Sequence, residues 1–254
     1  MEIKGININY ISYGNDSGQP VIFLHGWGQN IEMMQPLADR LSNDYKIVIV
    51  DLPGHGKSDE PLYPWTVFDY KDAIKELLDN LNIKNPNFVG HSFGGKVSLL
   101  FASTYEVNKL VVLGSPFKSD NNKITLKTKV LKGLKKIPGL NKLEEFAKKR
   151  IGSTDYRNAS PIMRQVLVNT VNLDISEEVK KIKCPTLIVW GDLDEAVSVD
   201  DAHELEKLIP DAGLVVLNGA THYAYLERLN QVTNMINSLL GGHNKWQWKC
   251  LFYH

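Results

Sequence analysis

Gly90-His91-Ser92-Phe93-Gly94-Gly95 is the stretch on which the reading of this chain turns. It matches G-x-S-x-G. A serine placed between a strand and a helix sits on a tight, strained turn, and flanking glycines let chain segments pass where a Cβ would clash. The turn lifts the hydroxyl above the sheet. Taken alone the match is weak: with glycine and serine each near ~7% of residues, a random chain of this length holds one roughly one time in ten. Its context sharpens it. Asn87-Phe88-Val89 precedes as an apolar strand, and a helical run follows Ser92.

The same alternation extends outward in both directions. Val21-Ile22-Phe23-Leu24, Ile47-Val48-Ile49-Val50, Leu110-Val111-Val112-Leu113, Thr186-Leu187-Ile188-Val189-Trp190 and Leu214-Val215-Val216-Leu217 are short continuous apolar runs. Helical stretches separate them, from about Asn30 to Leu41, from near Asp69 to Leu81, and to about Leu240. In the second of these Ala73, Ile74, Leu77, Leu78 and Leu81 share one face. Buried strands alternating with helices predict an α/β fold with a mostly parallel central sheet covered on both faces. The first 13 residues alternate around Gly5 and predict a hairpin or two short strands. The pattern breaks after Pro116 and resumes at Thr186. We read 1–115 and 177–240 as one core, 116–176 as an inserted helical segment, and 241–254 as a tail. That tail carries Trp246, Trp248, Phe252 and Tyr253, and its role is open between an added strand and an interface segment.

A serine hydroxyl is a weak nucleophile at neutral pH. It needs a base within hydrogen-bond reach, and the base needs an orienting carboxylate. Both arrive in the required chain order at the carboxyl ends of later strands, where open α/β sheets place their sites. Gly191-Asp192-Leu193-Asp194 follows Trp190, and Asn218-Gly219-Ala220-Thr221-His222 follows Leu217. An anion formed on the substrate also needs two fixed donors. The backbone N–H of Phe93 is one candidate. The other is the N–H of Trp27, in the glycine-bearing loop His25-Gly26-Trp27-Gly28 after the early strand.

Together with Asp51-Leu52-Pro53-Gly54-His55-Gly56-Lys57-Ser58, these motifs resemble the α/β-hydrolase family over nearly the whole chain, from about residue 20 to 240. The resemblance implies a central sheet with a helical lid at 116–176, Ser92 as nucleophile, His222 as base, and Asp194 as orienter through the family pattern G-x-x-D. The Trp27 and Phe93 amides become the oxyanion donors. The His25-Gly26-Trp27-Gly28 start is similar to pimeloyl-ester carboxylesterases and meta-cleavage-product hydrolases, both of which use a serine triad. Relatives with an aspartate nucleophile, the haloalkane dehalogenases and epoxide hydrolases, are disfavoured by Ser92. The resemblance implies hydrolysis of a small, apolar ester or related acyl bond, with neither organic cofactor nor metal. Alternatives are a C–C bond hydrolase, an aminopeptidase, or a non-catalytic binding protein on the same fold. The prolyl iminopeptidase elbow, glycine-glycine-serine-tryptophan-glycine, differs at His91 and Phe93.

Each site residue has a plainer reading. Ser92 and Asp194 can serve as helix caps, and Asp192 and Glu195 compete with Asp194 for the acid's role. His55, His91, Asp51 and Asp59 read as structural, satisfying local backbone groups. The Trp27 ring can wall the pocket.

With 29 Lys and Arg against 29 Asp and Glu, the chain is neutral overall, and its 43% hydrophobic content is that of a globular protein. Nothing in the charge points to a nucleic acid. The neutrality hides an asymmetry: 116–176 holds 13 basic and five acidic residues, a net +8, leaving −8 elsewhere. Between Lys123 and Arg150 apolar residues recur among the lysines. A basic amphipathic lid suits an anionic membrane surface or an acyl-carrier partner. The preferred reading is a solvated lysine face over an apolar one, with Pro138-Gly139 separating two helices. Two cysteines, Cys184 and Cys250, make neither a disulfide framework nor a metal site. Without a signal-peptide core or a spanning apolar run, the expected compartment is the cytoplasm.

Overall fold

The computed structural model describes residues 1–119 and 159–241. A seven-stranded sheet in the order β3-β5-β4-β6-β7-β8-β9 forms its centre. The strands are β3 (Tyr10–Gly14), β4 (Pro20–Leu24), β5 (Lys46–Val50), β6 (Asn87–His91), β7 (Lys109–Leu113), β8 (Thr186–Gly191) and β9 (Ala212–Leu217). All neighbouring pairs are parallel except β3 with β5, where Tyr10 faces Val50 and Gly14 faces Lys46 in antiparallel register. The N-terminal residues form a separate antiparallel pair, β1 (Glu2–Ile3) with β2 (Ile6–Asn7), as the alternation around Gly5 implies.

The apolar strand runs are buried on both faces. In β4, Ile22 and Leu24 join a core cluster with α2 (Val67–Asn80) and α3 (Phe93–Ala102), while Val21 and Phe23 join the opposite cluster. That second layer is built by α1 (Ile31–Asp39), α7 (Ala224–Glu227) and α8 (Leu229–Leu240). Successive strand side chains point to opposite faces, so a sheet covered on both sides demands uninterrupted apolar runs. Helix starts are marked chemically. The Asn30 side chain accepts from Glu32 N at α1, and Thr66 and Asp69 close a capping box at α2.

The chain leaves the sheet after β7 and returns at β8. The described part of this excursion includes α4 (Pro161–Asn172) and α5 (Ser176–Val179), followed after β8 by α6 (Val199–Leu208). Two contacts close its base. Ile175 N donates to Phe117 O at 2.8 Å. Lys96, buried in α3, sends its Nζ to Thr170 O at 2.8 Å and Leu173 O at 2.5 Å, at the C-terminal end of α4. A cation suits that end of a helix, although burial pulls the Lys96 amine down to about 8, a shift that Asp174 partly opposes.

The lysine-rich stretch 120–158 and the aromatic tail 242–254 lie outside the described residues. With them lie the helix break at Pro138-Gly139, the amphipathic run from Lys123 to Arg150, and Cys250. Among the described residues no helix is long and apolar enough to cross a membrane.

Candidate active site

The β6–α3 junction holds Ser92 at φ 50°, ψ −115°. A non-glycine residue with this backbone stores strain of about 1–3 kcal/mol. The glycines around it mark where segments touch. A Cβ on Gly90 would stand 2.6 Å from Gly95 Cα and Ser98 Oγ, one on Gly94 would strike the carbonyls of Leu24 and His25, and one on Gly95 would strike the Ser115 hydroxyl. The Ser92 hydroxyl makes no capping hydrogen bond to α3, which removes the plainer reading of this residue. Its N–H donates to Leu113 O at 2.9 Å and anchors the turn on β7.

The residue after Leu113 is Gly114, at φ 53°. A Cβ there would lie 3.2 Å from Asp194 Oδ2 and 3.3 Å from His222 Nδ1. The two predicted partners of Ser92 thus meet over the end of the strand to which the elbow is anchored. His222 Nδ1 and Asp194 Oδ2 are 2.8 Å apart. The other Asp194 oxygen accepts from the amides of Ala196 at 2.8 Å and Val197 at 2.9 Å. Burial by itself would raise this carboxyl, but the bonds from His222, Val197 and Ala196 outweigh it and hold Asp194 below the usual carboxylate range. Asp194 does not cap α6: that role falls to Ser198, which accepts from Asp200 N. Asp192 is occupied elsewhere, accepting from Gly219 N at 2.7 Å, and Glu195 is exposed. Gly191 allows the two loops to close, since a Cβ there would strike the carbonyls of Ala220 and Thr221.

On the other side of Ser92, Gly26 to Gln29 form a turn with Gln29 N bonded to Gly26 O at 3.3 Å and Gly28 at φ 69°. Gly94 N donates to His25 O at 3.0 Å, which presses this turn against the elbow. The rings of Trp27 and Phe93 meet edge to face at 5.4 Å. Phe93 is the first residue of α3, where an N–H has no intrahelical acceptor. Among the described residues the Trp27 N–H donates no hydrogen bond. Among the described residues both predicted oxyanion amides are uncommitted, that of Phe93 next to Ser92 in the chain and that of Trp27 in the turn bonded to the elbow.

The surrounding polar residues are structural, as expected for Asp51, Asp59 and His55. Asp51 accepts from Ile31 N, Lys57 N and Asn9 Nδ2 at 2.7–2.8 Å and holds the 51–58 loop, and Asp59 accepts from Asn7 N. His55 Nδ1 bonds Pro53 O at 3.1 Å and its ring packs on Trp27. Gln29 and Tyr223 escape the sequence reading. Gln29 Oε1 accepts from Gly26 N at 3.0 Å, and its Nε2 reaches Tyr223 OH at 3.4 Å. Only their positions beside two predicted site loops hint at this. A cavity of about 740 Å³ opens beside His222, where Leu193 and Tyr223 are exposed apolar surfaces. Among the described residues no three His, Cys, Asp or Glu side chains converge as a metal-binding group.

Comparison with known proteins agrees with the fold. A family model described as the alpha/beta hydrolase fold matches residues 19–147, just over half of the chain. Lipase 3 of a Moraxella species is 25% identical over 270 residues, covering 95% of this chain and 84% of the relative. A 2-hydroxy-6-oxononadienedioate/2-hydroxy-6-oxononatrienedioate hydrolase of Paraburkholderia phymatum is 27% identical over 258 residues, covering 89% and 90%. Among solved structures, a bacterial membrane phospholipase A superposes with a TM-score of 0.77 at 20% identity, covering 95% of this chain and 84% of that one.

Proposed function

The chain belongs to the alpha/beta hydrolase fold family, and we propose that it is a serine hydrolase that cleaves a carboxylic ester, or a related acyl bond, through an acyl-serine intermediate. One observation carries the proposal. The strained Ser92 turn is bonded to Leu113 O, and the adjoining Gly114 lies against a 2.8 Å His222–Asp194 pair.

In this reading Ser92 Oγ attacks the substrate carbonyl as His222 Nε2 takes its proton. Asp194 keeps the other imidazole proton on Nδ1 and stabilises the imidazolium that forms. The negative charge on the carbonyl oxygen is met by the N–H groups of Trp27 and Phe93. His222 then protonates the leaving alcohol, next takes a proton from the water that attacks the acyl-enzyme, and returns it to Ser92 Oγ as the acid is released. Every step is carried by these side chains and amides. The substrate is a small molecule with an apolar group, suited to the exposed Leu193 and Tyr223 beside His222. The 116–176 insertion is proposed to act as the helical lid that shapes the acyl site.

Cleavage of a C–C bond by the same residues is the second reading. It is favoured by the likeness to the Paraburkholderia dienedioate hydrolase. Hydrolysis of p-nitrophenyl esters of increasing acyl length, wild type beside Ser92→Ala, separates the cases. Turnover lost in the variant supports the ester reading. A wild type that ignores these esters, turns over an aromatic dienoate and is labelled at Ser92 by a fluorophosphonate supports the C–C reading. Absence of both turnover and labelling sinks both.

A further inference from the structure

His91, the second residue of the elbow motif, is fully buried at the end of β6 and touches both the segment that carries His222 and the Gly26–Gln29 turn. Its Nε2 lies 3.0 Å from the main-chain carbonyl of His222. A carbonyl oxygen only accepts, so a hydrogen bond here requires the proton on Nε2. Its Nδ1 lies 3.3 Å from Gln29 Oε1, the same oxygen that takes the Gly26 N–H. Burial holds the imidazole neutral, pushing it down to about 3. A neutral ring has one N–H, and both facing oxygens only accept; the 3.0 Å contact to His222 O takes it, while the longer 3.3 Å contact leaves Nδ1 against Gln29 Oε1 without a hydrogen bond. The His91 ring also packs at a tilt against those of His222 and Tyr225, each at 4.8 Å between centroids. On the oxyanion side the fit is close, since a Cβ on Gly26 would stand 3.0 Å from His91 Nδ1.

Asp194 holds the His222 ring at one atom only. The segment that carries His222 contains Gly219 at φ 68° and ends at the exposed Tyr223. A base held at a single ring nitrogen keeps its swing about that bond unless its backbone is also held. A misplacement of about 1 Å in such a site costs on the order of 100-fold in rate. Resting on the serine-hydrolase reading, we infer that His91 is a positioning residue. Its Nε2–H fixes the His222 backbone relative to Ser92, the next residue in the chain, and its ring fills the space between that anchor and the Gly26–Gln29 turn. Nucleophile, base and oxyanion turn are thereby registered through one side chain.

A residue that merely filled space would be replaceable by any side chain of similar length. His91→Gln keeps an N–H that reaches the His222 carbonyl, and His91→Met keeps the length without the donor. On a p-nitrophenyl ester, His91→Met is expected to lower kcat by about 10- to 100-fold with KM within about twofold. Fluorophosphonate labelling slows in parallel, and His91→Gln stays within about threefold of wild type. Equal kinetics for the two variants, or a loss confined to KM, overturns the inference. Should His91→Met not fold, the ¹⁵N-histidine spectrum of the wild type decides. A slowly exchanging proton on Nε2 of His91 is expected, and a proton on Nδ1 overturns the inference. Labelling of wild-type Ser92, abolished in Ser92→Ala, tests the underlying reading separately. An unlabelled wild type removes that reading and the inference with it.

Discussion

Gly94 N donates to His25 O at 3.0 Å, and this single bond joins the helix that begins at the elbow to the turn that presents the Trp27 amide. The contact exists because position 94 has no side chain. In Gly94→Ala the new methyl would meet the Leu24 and His25 carbonyls, which are backbone at and just beyond the end of β4 and cannot swing aside. The variant should lose about 1–3 kcal/mol of stability and, under the proposed mechanism, lose kcat as well, because the turn proposed to hold the oxyanion is displaced. Urea unfolding and steady-state kinetics on the same preparation test this. Wild-type stability would show that the strand yields more easily than its packing implies.

Ser92 sits at φ 50°, ψ −115°, a region that glycine enters without a Cβ penalty. Ser92→Gly should therefore be inactive and about 1 kcal/mol more stable than Ser92→Ala, which keeps the strain. Thermal melts of the pair read the difference directly. An alanine variant at least as stable as the glycine one contradicts a strained turn.

Asp194 and Asp192 are two residues apart and hold different partners. Asp194→Asn keeps the shape but offers His222 an amide where a carboxylate stood, favouring the wrong tautomer. The loss in kcat should approach the ~10⁴-fold seen for that change in the serine-protease template. Asp192→Asn, which weakens only the bond to Gly219 N, should cost under about tenfold. Reversed magnitudes would move the acid's role to Asp192.

Three histidines are held neutral by burial. His25 is pushed down to about 4, where the nearby His55 adds to the effect of burial and Asp51 partly offsets it. His91 is pushed down to about 3, and His55 is also lowered. Each binds a proton more readily in the unfolded chain, near pH 6.5, than in the fold. Below pH 6.5 the unfolded state therefore gains protons that the native state refuses, and stability falls. The loss should run at about 1 kcal/mol per pH unit for each of His25 and His91 from 6.5 down toward 4, with His55 adding in the same direction. Urea midpoints measured from pH 7.5 to 5 check the sign, and a flat profile over that interval would contradict it.

How far the structure is legible in the sequence depends on where each feature's cause lies. Val21–Leu24 and Leu110–Leu113 announce buried strands because both faces of the sheet are covered. Ser92 announces the elbow because only small neighbours fit there. Asp194 and His222 announce themselves by falling after strands in a fixed order. The antiparallel direction of β3 is not visible, since alternation in Tyr10–Gly14 reports a half-buried strand and nothing about its sense. Nor is the contact from His91 to His222, which joins residues 131 apart through a carbonyl that every residue type possesses. Side chains with a chemical signature can be placed from the sequence. Backbone roles assembled at long range need coordinates.

The bond between Ile175 and Phe117, with Lys96 clamping the end of α4 beside it, has a bearing on how such a chain diversifies. The two ends of the excursion are already tied, so the entropy of closing it is largely settled at its base. Loop-closure cost grows only slowly with length. Segments of different length and composition can then be exchanged above that knot while the register of β7 with β8, and the chemistry seated on it, stays as it is. Under the role proposed for the 116–176 insertion, new specificities would be reached by cassette replacement rather than by redesign of the reacting centre.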